Sequence, residues 1–144
     1  MNIIQYKLID NYLITINDDE LLYNKEKFYI QTPVMESGEI IKHGEEYYIQ
    51  FNFKDIPTHN LFLESLKYIE KTVINNDNSF TSFFLRDIHD NISIKVGIES
   101  MDVTFFNKDK GSILGSEIFK KTKCIGLIYM NSSRKWILHQ YMKL

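Results

Sequence analysis

The side chains that could do chemistry in this chain are few, and their spacing does not suit catalysis. Four histidines (His43, His59, His89 and His139) accompany a single cysteine, Cys124. A zinc site needs three or four Cys, His or carboxylate ligands delivered at short, regular spacings. No two of these histidines are spaced that way, and a lone cysteine cannot complete the set. Asp87-Ile88-His89-Asp90 places carboxylates beside a histidine, but neighbours in such a turn-forming run face water instead of converging. Glu45-Glu46 and Asp18-Asp19-Glu20 read as solvated turns, not as a paired general acid and base. The six glycines stand apart, so no glycine-rich phosphate loop is present. A nucleophilic Cys124 would need an exposed, cationic setting. It opens an apolar run instead and reads as an inert core thiol. The expectation is a protein that binds without catalysing, with no metal and no cofactor.

Binding chemistry is concentrated near the C-terminus. Residues 1–104 carry 17 acids and 9 Lys/Arg, a balance of −8, whereas residues 105–144 carry 2 acids and 8 Lys/Arg, a balance of +6. Such a split predicts one basic face on an otherwise acidic protein. Lys120, Lys121 and Lys123 cluster before an apolar strand, and Arg134 and Lys135 sit at the turn that follows it. On the last strand, period two puts Trp136, Leu138, Gln140 and Met142 on one face, expected to be core. It puts Lys135, Ile137, His139, Tyr141 and Lys143 on the other, so Tyr141 is predicted exposed between lysines. Lysines neutralise phosphates and release counterions, and an exposed ring stacks on any base. The candidate nucleic-acid contacts are therefore Lys120, Lys121, Lys123, Arg134, Lys135, Tyr141 and Lys143. Tyr48, on the polar parity of its own strand, adds a second ring.

The elements that must position these residues are mostly strands. Tyr47, Ile49, Phe51 and Phe53 alternate with Tyr48, Gln50 and Asn52, the mark of a half-buried strand. Thr58, after Pro57, is placed to cap a helix, along which Phe62, Leu66, Ile69 and Val73 form one apolar face until Asn75-Asn76-Asp77-Asn78 ends it. Ile3–Ile16 reads as one or two strands, closed by a turn at 17–20. Lys27–Thr32 is another strand, stopped or placed at an edge by Pro33. Further strands are read at Phe80–Arg86, Ile92–Ile98 and Val103–Phe106, the last followed by a turn through Gly111. Ser116 is read as the cap of a short helical turn. Lys123–Met130 reads as a central buried strand, joined by Asn131–Arg134 to a hairpin partner, Lys135–Leu144. Seven to nine strands and one helix make a mainly β fold, an OB-like small barrel or sandwich with one inserted helix.

Composition sets the outer bounds. At 144 residues the chain fits a single domain, 1–144. No apolar run approaches the roughly 20 residues of a membrane span, and the N-terminus lacks the pattern of a secretory signal. One cysteine excludes an internal disulfide, so an intracellular setting is expected. Alanine is absent, and Ile, Lys, Asn, Tyr and Phe supply 67 of the 144 residues, pointing to an AT-rich genome.

Three pieces carry a family resemblance: Phe28-Tyr29-Ile30-Gln31-Thr32-Pro33-Val34-Met35, the strand Tyr47–Phe53 followed by the helix, and the ending Ile128–Tyr141 around Trp136 and Gln140. Together they resemble small OB-fold single-stranded DNA-binding proteins of nucleocytoplasmic large DNA viruses, a type also found in some phages. The resemblance implies an OB barrel and a single-stranded nucleic-acid partner, DNA first, in viral DNA replication. One departure is the ending Gln140-Tyr141-Met142-Lys143-Leu144, which is not the acidic tail by which such proteins often recruit partners. The other reading is a viral structural or assembly protein that binds no nucleic acid. Its protein contacts, homo-oligomerisation included, would run through edge strands, with the strand bearing Pro33 as one candidate edge.

Overall fold

The computed structural model describes residues 3–5, 14–17, 20–23, 26–27, 29–76, 82–99, 103–109 and 111–144. In chain order its strands are β1 (Ile3–Gln5), β2 (Ile14–Asn17), β3 (Glu20–Tyr23), β4 (Glu26–Lys27), β5 (Tyr29–Gln31), β6 (Met35–Ser37), β7 (Ile41–His43), β8 (Glu46–Asn52), β9 (Phe84–Arg86), β10 (Ile92–Ile98), β11 (Thr104–Asn107), β12 (Thr122–Met130) and β13 (Trp136–Lys143). One helix, α1 (Pro57–Asn76), lies between β8 and β9. The described strands exceed the expected seven to nine because several are pieces of two to four residues, too short to show a period. The expected turn through residues 18 and 19, the helix stop at 77 and 78, the strand start at Phe80 and part of the turn before Gly111 lie outside the described residues.

Five strand segments close into a barrel. β6 pairs antiparallel with β8 (Ser37↔Phe51), and β8 with β10 (Ile49↔Val96). β10 then pairs parallel with β13 (Gly97↔Ile137), β13 antiparallel with β12, and β12 antiparallel with β6 (Cys124↔Met35), which returns the ring to its start. With β5 and β6 as the two halves of the first strand, neighbours around the ring follow the order 1-2-3-5-4-1, an OB-like barrel. β2, β3 and β4 form a separate three-stranded sheet, and β2 runs beside α1.

Period two sends alternate side chains inside. Ile49 and Phe51 from β8, Ile94 and Val96 from β10, and Cys124 and Ile128 from β12 are all fully buried. The α1 stripe of Phe62, Leu66, Ile69 and Val73 joins this core, each side chain contributing about 1.5–3 kcal/mol by leaving water. The helix starts at Pro57, not after Thr58. The first helical position suits proline, because its missing N–H is unpaired there anyway. His59 in its first turn is buried. Its Nδ1 accepts the Lys54 N–H at 2.9 Å, so Nε2 carries the proton and donates to the Val34 carbonyl at 2.8 Å. This histidine ties the helix start to the barrel. No described helix is long and apolar enough to cross a membrane.

Three expectations are corrected. Pro33 follows the end of β5, as a strand stop should, but it does not mark an edge: it sits in the break between β5 and β6, and β12 pairs with both. At the break Thr32 replaces a ladder contact, its Oγ1 accepting the Gly126 N–H at 2.9 Å while its own N–H donates to the Gly126 carbonyl at 2.8 Å. Ser116 lies inside a 3₁₀ turn, Gly115–Glu117, whose cap position is Leu114. The third correction concerns β13. Its register against β12 runs Leu127↔Gln140 and then Ile128↔Leu138, leaving His139 as an extra, bulged residue. A bulge reverses parity. Trp136 and Leu138 point inward before it and Tyr141 after it, so Tyr141 is 0% exposed. Ile137, read as exposed, is buried too, against Gly97 on the outer side.

Candidate nucleic-acid interface

The outward residues of the barrel line up across its strands. Ile41 of β7 pairs with Tyr48 of β8, Tyr48 with Gly97 of β10, and Gly97 with Ile137 of β13. A groove of about 570 Å³ lies along this row. Glu45 and Glu46, before and at the start of β8, bound one side, and Ser133–Lys135 of the β12–β13 hairpin bound the other. Gly97 keeps the floor low: a Cβ there would meet the Ile137 Cδ1 at 3.1 Å, so the Ile137 side chain packs in the space that the glycine leaves.

Two side chains on the floor act together. Lys95, two residues before Gly97 and on the same face, holds its Nζ 4.4 Å from the centroid of the Tyr48 ring. The ring's quadrupole attracts the ammonium. The pair offers one cation for a phosphate and one flat face for a base. Deeper in the groove, Trp136 and Phe83 meet edge to face at 5.5 Å. The Trp136 indole N–H is buried in the barrel wall and has no hydrogen-bond partner among the described residues.

The hairpin loop that presents Arg134 and Lys135 is tied together by Asn131. Asn131 Oδ1 accepts the Ser133 and Lys135 N–H groups, both at 3.0 Å, and Asn131 Nδ2 donates to Glu99 Oε1 at 2.6 Å. Arg134 takes φ 61 to close the turn. The lining balances Lys95, Arg134 and Lys135 against Glu45, Glu46 and Glu99. Lys135 is 3.7 Å from Glu46 across an exposed surface, a contact worth little that a phosphate can displace.

The predicted contacts divide between two places. Tyr48, Arg134 and Lys135 line the groove. Lys120, Lys121, Lys123 and Lys143 lie at the far end of the β12–β13 hairpin, roughly 23 Å away by strand rise. There Lys123 faces Glu36 across the β12–β6 ladder. A hydrogen bond from Lys54, helped by the charges of Lys121 and Lys123, holds the Glu36 carboxyl below its ordinary range. Lys143 Nζ donates to the Glu117 carbonyl at 3.0 Å and lies 5.4 Å from the Phe119 ring centroid. Tyr141 is in neither place. Its ring stacks on Phe51, and its hydroxyl is 2.6 Å from Ser37 Oγ inside the barrel. Burial raises the Tyr141 phenol far above its ordinary range and pushes the neighbouring Cys124 thiol up to about 11.

Sequence reasoning missed Lys95, Gly97 and Phe83. The parity of Ser93, Lys95 and Gly97 already separated them from the buried row of β10, but only the ladder to β8 shows that Lys95 meets Tyr48. Among the described residues no group of three or more His, Cys, Asp or Glu side chains could hold a metal ion.

An OB-like barrel with an open groove on its second and third strands, flanked by its first and last hairpin loops, is the arrangement in which this fold takes up oligonucleotides. No protein-family model matches the chain, and no curated protein is similar to it in sequence. Among solved structures it is similar to the single-stranded DNA-binding protein of bacteriophage Enc34, determined in complex with single-stranded DNA. The TM-score is 0.62 at 15% identity, over 91% of this chain and 94% of that one. That likeness shows the fold.

Proposed function

We propose that this chain is a non-catalytic single-stranded DNA-binding protein, that the strand lies across the groove over Tyr48, Gly97 and Ile137, and that it serves DNA replication in a large DNA virus. The observation that carries the reading is the Lys95–Tyr48 pair in a groove edged by Arg134 and Lys135. It sits on the face that OB barrels use for oligonucleotides. Bases stack on Tyr48, and phosphates pair with Lys95, Arg134 and Lys135. The phage protein of the same fold, solved with single-stranded DNA, supports the ligand. The AT-rich residue usage supports the viral source.

Fluorescence titration of a labelled oligothymidylate at two or more salt concentrations tests this reading. Three displaced counterions give a slope of about −2 in log K against log salt for a single strand. Lys95→Gln should weaken binding and flatten the slope by about 0.7. Absence of binding at low salt, or binding indifferent to both salt and Lys95→Gln, overturns the proposal.

A further inference from the structure

The outer face of the barrel carries a second aromatic cluster that the groove does not use. Tyr29 of β5, Tyr129 of β12 and His139 of β13 form a trio. The Tyr29 and Tyr129 centroids are 5.6 Å apart at 73°, Tyr29 and His139 4.9 Å at 35°, and Tyr129 and His139 6.3 Å at 76°. All three are half-exposed and lie outside the core. His139 is the bulged residue of β13, and bulges commonly re-aim a side chain beside a functional surface.

Two registers join this cluster to what surrounds it. Across the sheet, Tyr129 pairs with Ile137, and Ile137 with Gly97 on the groove floor. The transverse row Tyr48, Gly97, Ile137 therefore continues to Tyr129 without a break, spanning three strand spacings or about 14 Å. Along β12, the residues sharing the outward parity of Tyr129 are Leu127, which is itself buried, the half-exposed Ile125 and the exposed Lys123. That row ends about 20 Å away at Lys121 and Lys123. Together with Lys54 these place three cations around the single Glu36 carboxylate. Rings at one end of the row and surplus positive charge at the other are complementary to unpaired bases and phosphates.

We propose that Tyr29, Tyr129 and His139 form a second stacking platform, and that a strand leaving the groove passes over Ile137 onto it and then along β12 to Lys123 and Lys121. This rests on the groove reading and adds a length requirement: a short oligonucleotide fills the groove alone, whereas a long one engages both surfaces.

The experiment compares a labelled five-residue oligothymidylate with a twenty-residue one. Losing one stacked base through Tyr129→Leu or Tyr29→Leu should weaken the long oligonucleotide roughly five- to thirtyfold and the short one less than twofold. Lys123→Gln should flatten the salt slope by about 0.7 for the long strand only. Lys95→Gln, in the groove, should weaken both. Equal effects of the Tyr129, Tyr29 and Lys123 variants on both lengths, or no effect on either, overturn the second platform and leave the groove standing. Failure of the unaltered protein to bind either length overturns both readings. Thermal melts accompany each variant. If Tyr129→Leu does not fold, Tyr29→Leu and Lys123→Gln decide.

Discussion

Removing a single oxygen, by Tyr141→Phe, separates the barrel interior from the barrel surface. The Tyr141 hydroxyl and Ser37 Oγ lie 2.6 Å apart with both residues fully buried. The other partners of Ser37 Oγ are the Thr122 carbonyl at 3.5 Å and the weakly bonding Cys124 thiol, neither of which replaces the lost bond well. The variant therefore gives up one buried hydrogen bond and leaves a hydroxyl poorly satisfied, a cost of about 1–2 kcal/mol. For a chain of this length that lowers the melting temperature by roughly 3–8 °C. The ring's packing on Phe51 is kept, as is its contact with Phe105 at 5.7 Å, so the fold survives. Ser37→Ala in the same background should add little, because it removes the orphaned partner. A double-mutant cycle then shows a coupling of about 1 kcal/mol. Oligonucleotide affinity measured below the melt should be unchanged. A melting curve that does not move would refute the reasoning, since an exposed tyrosine loses nothing on becoming phenylalanine.

Two further outcomes follow from the same interior. A Cβ at position 126 would lie 2.9 Å from Phe51 Cζ, and the Phe51 ring is fully buried and stacked on Tyr141, so Gly126→Ala should destabilise by about 1–3 kcal/mol through overpacking; denaturant titration with an unchanged midpoint would count against it. With its thiol pushed up to about 11 by burial, Cys124 is almost wholly protonated at pH 8 and shielded, so a thiol reagent should modify it only after unfolding. Complete modification of the native protein at pH 8 within minutes would contradict that placement.

Much of the fold was legible because its signals are local. The alternation at 47–53 and at 92–98 became β8 and β10, the spacing of Phe62, Leu66, Ile69 and Val73 became the buried stripe of α1, and the apolar run after Lys123 became β12, paired on both sides. The candidate site was legible only in part. Arg134 and Lys135 were visible as cations in a turn and Tyr48 as a ring on a polar parity, but their meeting with Lys95 depends on which strands neighbour which. The charge count was a coarser guide. It grouped eight cations by sequence position, whereas a hairpin puts the ends of its two strands at opposite poles, so Lys120, Lys121 and Lys123 part from Arg134 and Lys135.

The misplacement of Tyr141 has a physical cause that also bears on function. Unbroken period two along β13 would put Tyr141 outside with Lys135 and His139. A single extra residue changes the second half of the strand only. Before the bulge, Lys135 and Ile137 serve the groove wall while Trp136 and Leu138 fill the core. At the bulge, His139 joins two tyrosines on the outer face. After it, Tyr141 turns inward to meet Ser37 and Cys124. One strand thus supplies a groove edge, an outer ring and a polar interior contact, which no regular alternation of eight residues can do. A bulge carries no composition of its own, so nothing in the run Ile137-Leu138-His139-Gln140 announces it. Only the pairing reveals it: β12 sets Gly126 beside the Phe51 ring, and past the bulge β13 brings Tyr141 inward to stack on that same ring.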